Sequence, residues 1–95
     1  RYLRVAGHAN AMARLLADLV RGIGGVTITQ PVQSNAVFAE LPRAAAEALM
    51  ERVPFYFWDE IRGEVRWMCA WDTTEEDVRA FAALISAELS RTAGI

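Results

Sequence analysis

Ninety-five residues with a net charge of −2 make one domain around one core, and that charge argues against a nucleic-acid backbone as partner. Hydrophobic residues supply 54% of the chain and mean hydropathy is +0.15, which implies a face that expects a partner, yet no run of about 18 apolar residues is there to span a bilayer. All ten basic residues are arginine, so chemistry that needs a Schiff-base lysine cannot be completed within these residues.

The chain opens on Arg1-Tyr2-Leu3-Arg4 and runs into Gly7-His8-Ala9-Asn10, not into the apolar stretch of a secretory leader. With no initiator methionine, the expectation is a piece of a longer protein. A single cysteine allows no internal disulfide and fits a reducing cytoplasm. Met12, Leu15, Leu16, Leu19, Val20 and Ile23 recur at helical spacing and predict an amphipathic helix. Its start is open: Tyr2 to Val5 either continue the helix backwards through Gly7 or end an upstream element. Its end is expected at Gly24-Gly25.

Val26 to Thr29 is a short β-branched strand broken at Gln30-Pro31. Asn35 to Leu41 predicts a second strand, with Ala36, Phe38 and Glu40 on one face and Val37, Ala39 and Leu41 on the other. Pro42 is placed in the first turn of a second helix, whose stripe is Ala45, Ala46, Leu49, Met50 and Val53, stopped by Pro54. Phe55-Tyr56-Phe57-Trp58 reads as an aromatic strand, and Asp59 to Gly63 as a turn with Gly63 at the permissive position.

Glu64 to Asp72 then reads as the central strand, with Val65, Trp67, Met68 and Cys69 as an apolar heart that Arg66 interrupts. Thr73 or Thr74 caps the last helix, with Glu76 or Asp77 as the other half of a capping box. Val78, Phe81, Ala82, Ile85 and Leu89 form its apolar stripe. The order is α-β-β-α-β-β-α in a single domain, residues 1–95. Antiparallel hairpins joined by a right-handed crossover favour the strand order 1-2-4-3 with helices on one face. The fold class is therefore α+β, an open-faced sandwich.

Most candidate motifs have plainer readings. Gly22-Ile23-Gly24-Gly25 follows a helix and not a strand, so a helix cap is preferred to a phosphate loop. His8 has no second histidine and no carboxylate at ligand spacing, which leaves no metal site in the sequence. Cys69, among apolar neighbours, is expected to be buried and inert. Asp59-Glu60 in a turn is expected to be solvated. Seven of the nine aromatics fall between Phe38 and Trp71. Core and interface packing is preferred for them over base stacking, because only Arg62 and Arg66 interleave as cations.

Arg66 is different in kind. It shares a strand face with Glu64, Met68 and Ala70, while Val65, Trp67 and Cys69 point the other way. One reading is a structural salt bridge to Glu64 or Glu40. The other is bidentate recognition of a ligand carboxylate by a forked, always-charged donor on a rigid strand.

Ala9-Asn10-Ala11-Met12-Ala13, Gln30 to Phe38 and Gly63 to Val78 together resemble the C-terminal small domain of low-specificity L-threonine aldolases, pyridoxal-phosphate enzymes of the aspartate-aminotransferase-like class. The resemblance covers essentially the whole chain. It implies that Arg66 is the arginine that binds the substrate α-carboxylate, and that catalytic and cofactor-binding residues lie in a large domain outside these 95 residues. It also implies a cytoplasmic homo-oligomer that cleaves β-hydroxy-α-amino acids, with no nucleic-acid or membrane partner. The isolated chain is then expected to bind no pyridoxal phosphate and to be inactive. The competing class is a self-standing ligand-binding or dimerising module, and the coding sequence upstream of Arg1 discriminates between the two.

Overall fold

The computed structural model describes residues 2–92, with side chains from residue 7 onward. Arg1 and the last three residues of the 1–95 domain lie outside that range. The elements are α1 (Tyr2–Arg21), β1 (Thr27–Ile28), β2 (Ala36–Glu40), α2 (Arg43–Met50), β3 (Tyr56–Asp59), β4 (Glu64–Met68) and α3 (Glu75–Thr92). The strands form one antiparallel sheet in the order β1-β2-β4-β3, as the sequence predicts. β4 is held on both sides: Ala36 to Glu40 pair with Met68 to Glu64, and Tyr56 pairs with Arg66. An Asn35 carbonyl accepting from the Cys69 amide at 2.8 Å carries the ladder one step further.

The helices lie on one side, and the strand alternation shows which. Val37, Ala39 and Val65 are fully buried with Leu41, Trp67 and Cys69 nearly so, while Tyr56, Trp58, Arg66 and Met68 on the other face are exposed. Leu49 of α2 and Ile85 of α3 complete the centre of the core. Phe55, Trp67 and Phe81 meet edge to face at one end of it, with centroids 5.4–6.3 Å apart. The Trp67 Nε1–H there is buried without a hydrogen-bond partner among the described residues.

α1 is one continuous helix through Gly7, and it ends at Arg21, earlier than the glycine pair suggests. The turn that follows bonds the Val26 amide to the Ile23 carbonyl, with Gly25 at φ +97°, where a side chain would be strained. The most deeply buried face of α1 is Ala9, Ala13, Leu16, Ala17 and Val20, whereas Met12, Leu15 and Leu19 pack half-buried at its flank. Small residues let the helix approach closely, so the deepest stripe is rotated from the one that the larger side chains mark in the sequence. Pro42 stands one residue outside α2 as its N-cap, not in the first turn, and its carbonyl accepts from the Ala46 amide.

The central strand is shorter than its sequence suggests. After Cys69 the chain turns, the Thr73 amide donating to the Ala70 carbonyl and the Thr73 hydroxyl accepting from the Ala70 amide. Thr74 then caps α3. Its hydroxyl accepts from the Asp77 amide and the Asp77 carboxylate accepts from the Thr74 amide, both at 3.0 Å. That is the expected capping box, and Glu75, Glu76 and Asp77 place negative charge at the positive end of the helix. At the far end buried Glu88 takes two bonds from Arg91 and one from Arg52, tying α3 to the segment after α2.

Candidate functional site

The strand register decides what surrounds Arg66. In β4 it faces Phe38 of β2 on one side and Tyr56 of β3 on the other, on the sheet face that no helix among the described residues covers. Residues of like parity share that face, so Glu64, Met68, Glu40 and Thr29 are its companions. The pairing of β3 with β4 slips between Phe57 and Asp59, which leaves Trp58 as the extra residue of a bulge. The Trp58 ring rests edge to face on Phe38 at 5.3 Å between centroids. The guanidinium carbon of Arg66 lies over that ring, 4.6 Å from its centroid. At this distance the cation feels the negative face of the indole.

Both carboxylates that the sequence offers as structural partners of Arg66 are engaged elsewhere. Glu64 is 4% exposed. It accepts a short hydrogen bond from the Thr29 hydroxyl and a longer one from Gln30 Nε2 at 3.5 Å. Glu40 pairs with Arg62 at 3.0 Å. Among the described residues Arg66 makes no ion pair and no hydrogen bond. Its donors are therefore open to a ligand, in the planar arrangement that matches a carboxylate.

Around this cation the surface is apolar and aromatic. Tyr56, Trp58 and Met68 are all more than half exposed. An exposed charged donor ringed by apolar side chains is a face suited to a partner or ligand. The segment on the β1 side of the site is pinned at both ends to β4. Thr29 and Gln30 bond to Glu64, and Asn35 Nδ2 donates to the Cys69 carbonyl at 2.9 Å.

The other candidates do not join this constellation. His8 is exposed, and its Nε2–H donates to the Thr73 carbonyl, stapling α1 to the turn after β4. Cys69, just past β4, is buried on the helix side of the sheet, and burial pushes its thiol pKa up, away from the reactive thiolate. Asp59 caps its own turn through the Arg62 amide, and Glu60 pairs with Arg43, both at the surface. No group of three potential metal ligands occurs among the described residues. The shallow grooves beside α1, lined by Arg14, Arg21 and Pro31, do not include Arg66.

Trp58 is the residue that sequence reasoning passed over. The sequence places it with Phe55 and Trp67 as packing, and those two are buried whereas Trp58 is more than half exposed. Its parity with Tyr56 is the signal the sequence offers, and the pairing of Tyr56 with Arg66 is what puts both on the face of Arg66.

No protein-family model matches the chain. Two curated relatives do. The chain is 46% identical over 81 residues to a low specificity L-threonine aldolase of Pseudomonas aeruginosa, a match that covers 85% of the chain and 23% of the relative. It is 43% identical over 89 residues to a low specificity L-threonine aldolase of another Pseudomonas strain, covering 94% of the chain and 26% of that relative. The family resemblance read from the sequence is thus borne out along nearly the whole chain, which spans about a quarter of the length of these relatives.

Proposed function

We propose that this chain is the C-terminal small domain of a pyridoxal-phosphate-dependent lyase of the L-threonine aldolase type, and that Arg66 binds the α-carboxylate of its amino-acid substrate. The class rests on the likeness to the two aldolases. The role of Arg66 rests on one observation: on a strand held from both sides, its guanidinium has no acidic partner among the described residues, while Glu64 and Glu40 are both engaged. A structural arginine would have taken one of them.

The 95 residues do not themselves fit the cofactor, because none of them is a lysine that could be joined to it. A large domain of the same protein would hold it, packed over the open sheet face where Tyr56, Trp58 and Met68 are exposed. When bound, pyridoxal phosphate supplies the electron sink for cleavage of a β-hydroxy-α-amino acid to glycine and an aldehyde. Arg66 contributes position. Two parallel N–H···O bonds fix the carboxylate in direction as well as distance, so the bond to be broken is presented in one geometry. The isolated chain is inactive on this reading, and the intact enzyme is a cytoplasmic homo-oligomer.

The test is to express the full-length protein, load it with pyridoxal phosphate and follow glycine release from L-threonine. Glycine and acetaldehyde formed in equal amounts support the reading. A full-length protein that carries no lysine-bearing cofactor domain would overturn it in favour of a self-standing ligand-binding or dimerising module.

A further inference from the structure

We propose that Trp58 is the positioning residue for Arg66: its indole holds the guanidinium by its face and so leaves the in-plane donors for the substrate. This rests on the reading of Arg66 given above. Three features of the sheet converge on it. β3 inserts Trp58 as the extra residue of a bulge, a device that re-aims a side chain. Phe38, directly opposite Arg66 on β2, supports the indole edge to face at 5.3 Å. The Arg66 guanidinium carbon lies 4.6 Å from the indole centroid.

The chemistry explains why an aromatic serves here and a carboxylate would not. A glutamate beside Arg66 would occupy the same N–H groups that a substrate carboxylate needs, and would compete with it. An aromatic ring attracts the cation through its face and takes up no in-plane hydrogen bond. Arginine is also long and flexible, and without a support its fork would sample many directions. The platform therefore restricts Arg66 without neutralising it. Consistent with that division, Glu64, two residues away on the same strand face, is turned to Thr29 and Gln30.

The experiment is a double-mutant cycle in the full-length, cofactor-loaded protein, with Trp58→Leu, Trp58→Phe, Arg66→Lys and the Trp58→Leu/Arg66→Lys pair. Glycine binding is read by calorimetry, beside cofactor content and melting temperature. The proposal expects Trp58→Leu to weaken glycine binding roughly threefold to thirtyfold, the range of one cation–π contact, at unchanged cofactor content and melting temperature. Trp58→Phe should recover part of the loss, and Trp58→Leu should add little once Arg66 is lysine. If Arg66→Lys weakens glycine binding and Trp58→Leu does not, this inference is overturned and the reading of Arg66 stands. If neither variant changes binding, the reading of Arg66 falls and this one with it. A Trp58→Leu effect of full size in the Arg66→Lys background means that Trp58 touches the ligand directly, and overturns the positioning role. Loss of binding that tracks a fall in melting temperature or cofactor content assigns Trp58 to packing alone, and likewise overturns it.

Discussion

Glu64 and Arg66 stand two residues apart on the same face of β4 and do not pair. Glu64 sinks to 4% exposure and accepts from Thr29 and Gln30; Arg66 turns the other way, over Trp58. Opposite charges at that spacing on a strand are within reach of each other, so their separation needs a reason. The reason is local. Thr29 and Gln30 lie at the end of β1 and give Glu64 two donors, whereas the bulge at Trp58 gives Arg66 a support. The cation is thereby left available on a face that no helix among the described residues covers.

The capping box of α3 is the clearest local device in the chain, and its loss has a defined size. Thr74→Ala removes the hydroxyl that accepts the Asp77 amide. The expected cost is about 1 kcal/mol, or roughly 4–8 °C in melting temperature for a domain of this size. Thr74→Asp should keep most of it, since aspartate is an equally good cap. If alanine and aspartate melt alike, the cap does not contribute.

The rotated stripe of α1 makes a second prediction. Leu16 is 2% exposed, while Leu15 is half-buried at the flank. Leu16→Ala should cost about 2–5 kcal/mol in urea unfolding, and Leu15→Ala about 1 kcal/mol. Equal costs would restore the stripe read from the sequence. That stripe was legible in its period and not in its centre. Leucine and methionine dominate any hydrophobic count, yet Ala13 and Ala17 are among the most deeply buried residues of α1, which only the packed fold reveals.

More of the fold was legible than of the site. Strand order followed from element order and handedness, and a capping box from local sequence, with the choice of Thr74 over Thr73 and Asp77 over Glu76 made by the structure. The ends of β4 were not, because Ala70-Trp71 is apolar enough to pass as strand, and what stops it is the turn in which the Ala70 amide donates to the Thr73 hydroxyl. Arg66 stood out as a charge in an apolar run. What remained open was its partner, since Glu64 and Glu40 were both at pairing distance by parity. Only the three-dimensional positions of Thr29 and Arg62 show that these carboxylates are occupied.

Cys69 yields a pH prediction. Burial raises its thiol pKa above the ordinary value of 9.0. The folded chain then keeps the proton more tightly than the unfolded chain, so the stabilisation is complete below the ordinary value and is lost as pH rises through the folded one. Stability should decline from about pH 9 upward, and less steeply in Cys69→Ala. Alkylation by iodoacetamide at pH 8 should be slow in the native protein and fast in denaturant. Rapid native alkylation would contradict a buried, protonated thiol.

The central claim is that Arg66 is held for a substrate carboxylate and not for the fold, and Arg66→Lys in the full-length enzyme tests it most directly. Lysine keeps the charge and loses the planar fork. Because Arg66 has no ion pair among the described residues to lose, the melting temperature should barely move. Losing one charge-assisted contact costs about 1.5–3 kcal/mol, so kcat/KM for L-threonine should fall roughly tenfold to a hundredfold, at unchanged cofactor content. An unchanged kcat/KM together with a lowered melting temperature would contradict the account and return Arg66 to a structural role.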